Sequence, residues 1–99
     1  MPVRVELWQD GGLVDGVEQW WDRVEAALDR EQEDFALLES ISPYGQVRIP
    51  HERLLDLAGE CRRLSLRAAG AVEPLLLKIA ELCDRAAATS GAELRFDGD

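Results

Sequence analysis

The sequence predicts an α+β domain: a small sheet of N-terminal, central and C-terminal strands packed by three helices, two of which form an antiparallel hairpin. Three observations lead there. Val3, Val5 and Leu7 alternate with Arg4, Glu6 and Trp8, and Ala92, Leu94 and Phe96 alternate with Glu93, Arg95 and Asp97, which is the period of a half-buried strand at each end of the chain. Between them, apolar residues recur at helical spacing in two stretches of similar length, separated by a break at Gly70. Turn-forming Asp10-Gly11-Gly12 and Ser42-Pro43-Tyr44-Gly45, and Thr89-Ser90-Gly91, separate these segments.

Taken in order, the first strand spans residues 2–9 and ends at the turn-forming Asp10-Gly11-Gly12. Val17, Trp20, Trp21, Val24 and Leu28 then fit one helical stripe, and Asp15 with Glu18 has the spacing of a capping box, so a first helix is expected over 16–29. Asp29 to Asp34 holds no apolar residue and reads as a solvated helix end or loop. Phe35 to Ile41 suits either a helical turn or a strand, with a slight lean towards a short helix or irregular segment. Ser42-Pro43-Tyr44-Gly45 reads as a turn, and Gln46 to Ile49 as a short strand held extended by Pro50.

Pro50 suits a helix start, and Leu54, Leu57, Ala58, Cys61, Leu64 and Ala68 follow at helical spacing, giving a second helix over 51–69. Val72, Leu75, Leu76, Ile79, Leu82, Cys83 and Ala86 repeat the pattern as a third, over 72–89. A hairpin turning near Gly70 sets Cys83 opposite Leu57, about one turn from Cys61. Helix axes about 8–10 Å apart with that roughly 6 Å offset exceed the ~7 Å Cα limit for a disulfide, so two free thiols are expected.

Ninety-nine residues make one domain. With 46% hydrophobic and 31% charged residues the chain is of globular composition. Its formal charge of -9 disfavours a phosphate-backbone partner, so nucleic-acid binding is not expected. Residues 1–50 hold four basic and eleven acidic side chains, against seven and nine in residues 51–99, so an acidic binding face belongs to the first half. The N-terminus shows no cationic stretch followed by an apolar one and no segment is long enough to span a bilayer, which predicts a cytoplasmic chain with no membrane partner. Ten of the eleven basic residues are Arg, a bias that accompanies GC-rich bacterial coding.

Catalytic machinery is not legible. His51 is the sole histidine, with no Ser or Cys nucleophile at a recognisable spacing, and His51, Cys61 and Cys83 lack the short spacings of a zinc site, so no metal or cofactor is expected. No glycine-rich phosphate loop is present, and Asp97-Gly98-Asp99 lacks the remaining ligands of a calcium loop. Arg62, Arg63 and Arg67 read as an intrahelical charge ladder with Asp56 and Glu60. Of the aromatics, Trp21 is expected in the core and Trp20 at its boundary. Trp8 falls on the polar phase of its strand and either covers the second face of the sheet or is exposed, and Tyr44 sits at a turn tip.

The opening strand with its Trp, the Trp20-Trp21 pair, the central segment Ser42 to Pro50 and the closing Glu93 to Asp99 together resemble small acidic proteins of actinobacteria, a likeness that implies no activity and transfers no functional residue. In size, acidity and catalytic poverty the chain is also similar in type to bacterial immunity proteins, which inhibit a toxin by covering its site. That likeness implies a protein partner. The expected function is therefore non-enzymatic binding of a basic protein, with Asp22, Glu25, Asp29, Glu31, Glu33 and Asp34 steering and Trp20 or Tyr44 anchoring. Two alternatives are a structural or regulatory subunit acting as a homodimer or in a larger assembly, and a small enzyme or ligand carrier using His51 with Glu52.

Overall fold

A computed structural model describes residues 2–30, 35–42, 44–67 and 72–98. It is an α+β fold: a four-stranded antiparallel sheet with helices on one face. The strands are β1 (Pro2–Gln9), β2 (Gly12–Trp20), β3 (Gln46–Ile49) and β4 (Ala92–Asp97), in the order β2-β1-β4-β3. The helices are α1 (Trp21–Asp29), the one-turn α2 (Ala36–Glu39), α3 (Leu54–Ser65) and α4 (Val72–Ala87). As expected, the terminal strands pair, Val5 opposite Phe96 and Leu7 opposite Leu94, and the central strand joins the far side of β4.

Alternation decides which side chains enter the core. Val3, Val5, Leu7, Leu94, Phe96 and Ile49 are buried on the helical side. Trp21, Leu57, Leu64, Leu76, Ile79 and Leu82 meet them from the helices. Each such side chain contributes about 1.5–3 kcal/mol by leaving water. Trp21 packs edge-on against Phe96, ring centroids 5.8 Å apart, and so ties α1 to β4.

The expected first helix is corrected over its first half, because 12–20 is a strand. Asp10 and Gly11 both have positive φ, 51° and 82°, as a tight hairpin turn requires, and the turn folds β2 back along β1 with Val17 opposite Val5. Val14, Gly16 and Val17 form helix poorly, so pairing with β1 outweighs the coincidental helical spacing. Asp15 and Glu18 form no capping box. Asp15 accepts the Gly16 N–H at 2.8 Å and an Arg85 N–H at 2.6 Å, while Glu18 faces Arg4 across the strands at 3.5 Å.

The other boundaries move less. Phe35 to Ile41 contains the short helix α2. His51–Arg53 is a 3-10 turn leading into α3, which stops at Ser65; Ala68 and Ala69 of the expected second helix lie outside the described residues. The third helix ends two residues early, where the Thr89 hydroxyl donates to the Arg85 carbonyl. Within the turn before β3, Tyr44 N–H donates to the Ser42 hydroxyl and Gly98 N–H to the Gly45 carbonyl; Pro43 lies outside the described residues.

Both cysteines are buried free thiols. One residue from each, Arg62 of α3 is ion-paired with Asp84 of α4 across the hairpin. The intrahelical ladder is corrected. Arg62 pairs across the hairpin, Asp56 pairs with Arg53 at 3.3 Å, Arg63 lies over the Phe35 ring at 5.5 Å, and Glu60 turns inward.

Candidate functional site

The helix-free face of the sheet is satisfied internally. From β3 to β2 its side chains form one chain of contacts: Arg48 to Glu93 at 2.6 Å, Arg95 to Glu93 at 3.4 Å, Arg95 over the Trp8 ring at 4.1 Å, Trp8 Nε1 donating to Glu6 at 3.1 Å, and Arg4 reaching Glu6 and Glu18 at 3.9 and 3.5 Å. Trp8 thus covers the second face of the sheet. Arg4, Arg48 and Arg95 meet Glu6, Glu18 and Glu93 one for one, and Asp97, on the same face of β4, has no ion pair among the described residues.

The α1–α2 flank differs. Asp22, Glu25 and Asp29 point outward from α1 and Glu39 from α2, and none of the four is ion-paired among the described residues. Glu25, Asp29 and Glu39 line one cleft of about 140 Å³ with the buried Trp21, Leu28, Leu38 and Ile41, so carboxylates form its rim and apolar side chains its floor. The Trp21 indole Nε1 is buried with no hydrogen-bond partner among the described residues.

Glu60 positions this cleft. It is 8% exposed, and its two oxygens accept the main-chain N–H groups of Leu37 and Leu38 at 3.2 and 3.0 Å. The residue preceding α2, Phe35, has no side chain able to cap it, so a carboxylate from α3 does so and fixes the cleft's second wall. The sequence hid this role, since Glu60 sits among helical charges at ordinary ladder spacing.

Trp20, expected at the core boundary, is 60% exposed, and Tyr44 is 72% exposed. Trp20 pairs with Pro2 at the end of β2, and Gln46 opposite Asp97 begins β3, so both aromatics stand at the same end of the sheet on opposite edges. Trp20 immediately precedes α1. The structure therefore brings Glu25 and Asp29 together with Glu39 at the cleft and sets Trp20 and Asp22 at the start of α1, outside the cleft's lining, whereas Glu31, Glu33 and Asp34 lie outside the described residues.

A second concave site, of about 460 Å³, lies at the outer edge of the sheet between Arg48, Pro50, His51, Gly91, Ala92 and Glu93. His51 Nδ1 lies 3.0 Å from the Ala92 carbonyl and donates to it, and Arg48 grips Glu93 through Nε and Nη2 at 2.6 and 2.8 Å. The Arg48 guanidinium, helped by Arg95, holds the Glu93 carboxyl below the usual carboxylate range. Glu52, the expected acid–base partner of His51, does not line this site.

The thiols suit no reactive role. Burial raises Cys61 well above the ordinary thiol range and pushes Cys83 up to about 12. Among the described residues no three His, Cys, Asp or Glu side chains converge as a metal site would need, and no helix is long and apolar enough to cross a membrane. Comparison with known protein families, curated proteins and solved structures finds no match.

Proposed function

We propose that this chain is a non-enzymatic, cytoplasmic protein-binding module that docks a basic partner on its α1–α2 flank and, in the manner of an immunity protein, masks or inhibits it. One observation carries the reading: Asp22, Glu25, Asp29 and Glu39 share that flank with no ion pair among the described residues, while three carboxylates of the open sheet face, Glu6, Glu18 and Glu93, are matched by arginines. Unpaired surface carboxylates attract a cationic partner at long range, within about 10 Å at moderate salt. Trp20 beside them supplies the large desolvated contact that charge alone does not.

Chemical-shift mapping with a lysine-rich peptide tests this reading. Movements concentrated on α1, α2 and the Trp20 indole, and suppressed by salt, are the expected outcome. Movements centred on the β3 edge or the α3–α4 hairpin would remove the flank as the docking surface.

A further inference from the structure

The site around His51 is independent of the acidic flank, and its polar groups are held ready for a ligand. His51 donates from Nδ1 to the Ala92 carbonyl, so in the imidazole form of the ring Nε2 is the hydrogen-bond acceptor. Arg48 spends Nε and one Nη2 proton on Glu93, which fixes the guanidinium plane and leaves its Nη1 side and the second Nη2 proton as a forked donor. Arg95 also reaches Glu93, so two guanidinium groups share that carboxylate. Pro50 and Ala92 add apolar wall. The space, about 460 Å³, is of the size small-molecule sites have.

From this geometry we infer that the Arg48–His51–Glu93 concavity binds a small carboxylic acid carrying a hydrogen-bond donor on the adjacent carbon, an α-amino or α-hydroxy acid. The carboxylate takes the free fork of Arg48. The neighbouring donor goes to His51 Nε2, and an ammonium group gains Glu93 as well. A bare anion lacks that second contact and meets Glu93 without compensation.

Because His51 is the only histidine, its ring Hε1 and Hδ2 signals report on the site without ambiguity. The experiment is an NMR titration at fixed pH and ionic strength with glycine, glycolate and acetate, on wild type, Arg48→Gln and Arg53→Gln. Saturable movement with glycine or glycolate is expected, the stronger arm identifying the donor. Acetate should bind about tenfold more weakly, the equivalent of one charge-assisted hydrogen bond. Arg48→Gln, checked as folded by its amide spectrum, should weaken the response at least as much, and Arg53→Gln, outside the site, should titrate as wild type. No saturable movement with either acid, an equal response to acetate, or an unchanged titration in Arg48→Gln overturns the assignment.

Discussion

Glu60 accepts the main-chain N–H of Leu38 at 3.0 Å from 22 residues further along the chain. A single carboxylate thereby joins α3 to α2 and determines where the wall of the acidic cleft stands. Charged acceptors of this kind contribute about 1.5–3 kcal/mol, and losing this one leaves the buried Leu38 N–H and the part-buried Leu37 N–H without it. Glu60→Ala should therefore lower stability by about 2–3 kcal/mol, read as a lower urea midpoint at unchanged slope. Glu60→Gln, which keeps one acceptor oxygen, should lose less. Equal stability of wild type and Glu60→Ala would show that the two bonds contribute nothing net.

Asp15 gives the acid limb of the stability profile a specific contribution. Its bond from Arg85, and then the one from the Gly16 N–H, hold its carboxyl below the usual aspartate range. A depressed folded value means that the stabilisation is complete above the unfolded carboxylate range and is lost as pH falls through the lower, folded one. Asp15→Asn should flatten the decline of stability below about pH 4. Parallel acid profiles for wild type and variant would contradict this.

The thiols act at the opposite limb. Cys83 is pushed up to about 12 by burial, so the folded chain retains its proton where the unfolded chain releases it. Stability should fall as pH rises from about 9 towards 12, and Cys83→Ala should reduce that slope while costing some packing. In the folded state neither thiol should react with an aromatic disulfide reagent until urea unfolds the chain. Rapid labelling under native conditions would show that the α3–α4 interface opens.

Gly91 has φ +75°, and a Cβ added there would clash with Asp10 Oδ1. Gly91→Ala should cost about 1–2 kcal/mol, chiefly from the left-handed backbone. Asp10→Gly removes the carboxylate but also the left-handed strain at Asp10 itself (φ 51°), so Gly91→Ala is repeated in an Asp10→Gly background, where it should cost less in a thermal melt than in wild type but still something. No cost in that background would mean that the clash, and not the backbone, sets the loss.

Much of this fold was legible in the sequence because its strongest signals are local. Both terminal strands, the α3–α4 hairpin and the buried Trp21 follow from periodicity and fall where expected. The first half of the expected first helix failed because Val17, Trp20 and Trp21 satisfy helical spacing by chance, whereas the pairing of Val17 with Val5 depends on a turn at Asp10 whose conformation is set by the hairpin. The candidate site was legible only in part. Asp22, Glu25 and Asp29 are neighbours in sequence, but Glu39 joins them, and Glu60 supports them, only through the docking of α2 on α3. Arg48 and Glu93 lie 45 residues apart and meet only through the β3–β4 register.

Affinity capture from native host lysate tests the docking claim most directly, using wild type and the Asp22→Lys, Glu25→Lys, Asp29→Lys variant side by side, with elution by rising salt and mass spectrometry of each fraction. The account predicts a basic protein that elutes from wild type as salt rises and is missing from the variant, while both forms show the same melting profile. Retention of the same proteins by both forms, or of none by wild type, would contradict it.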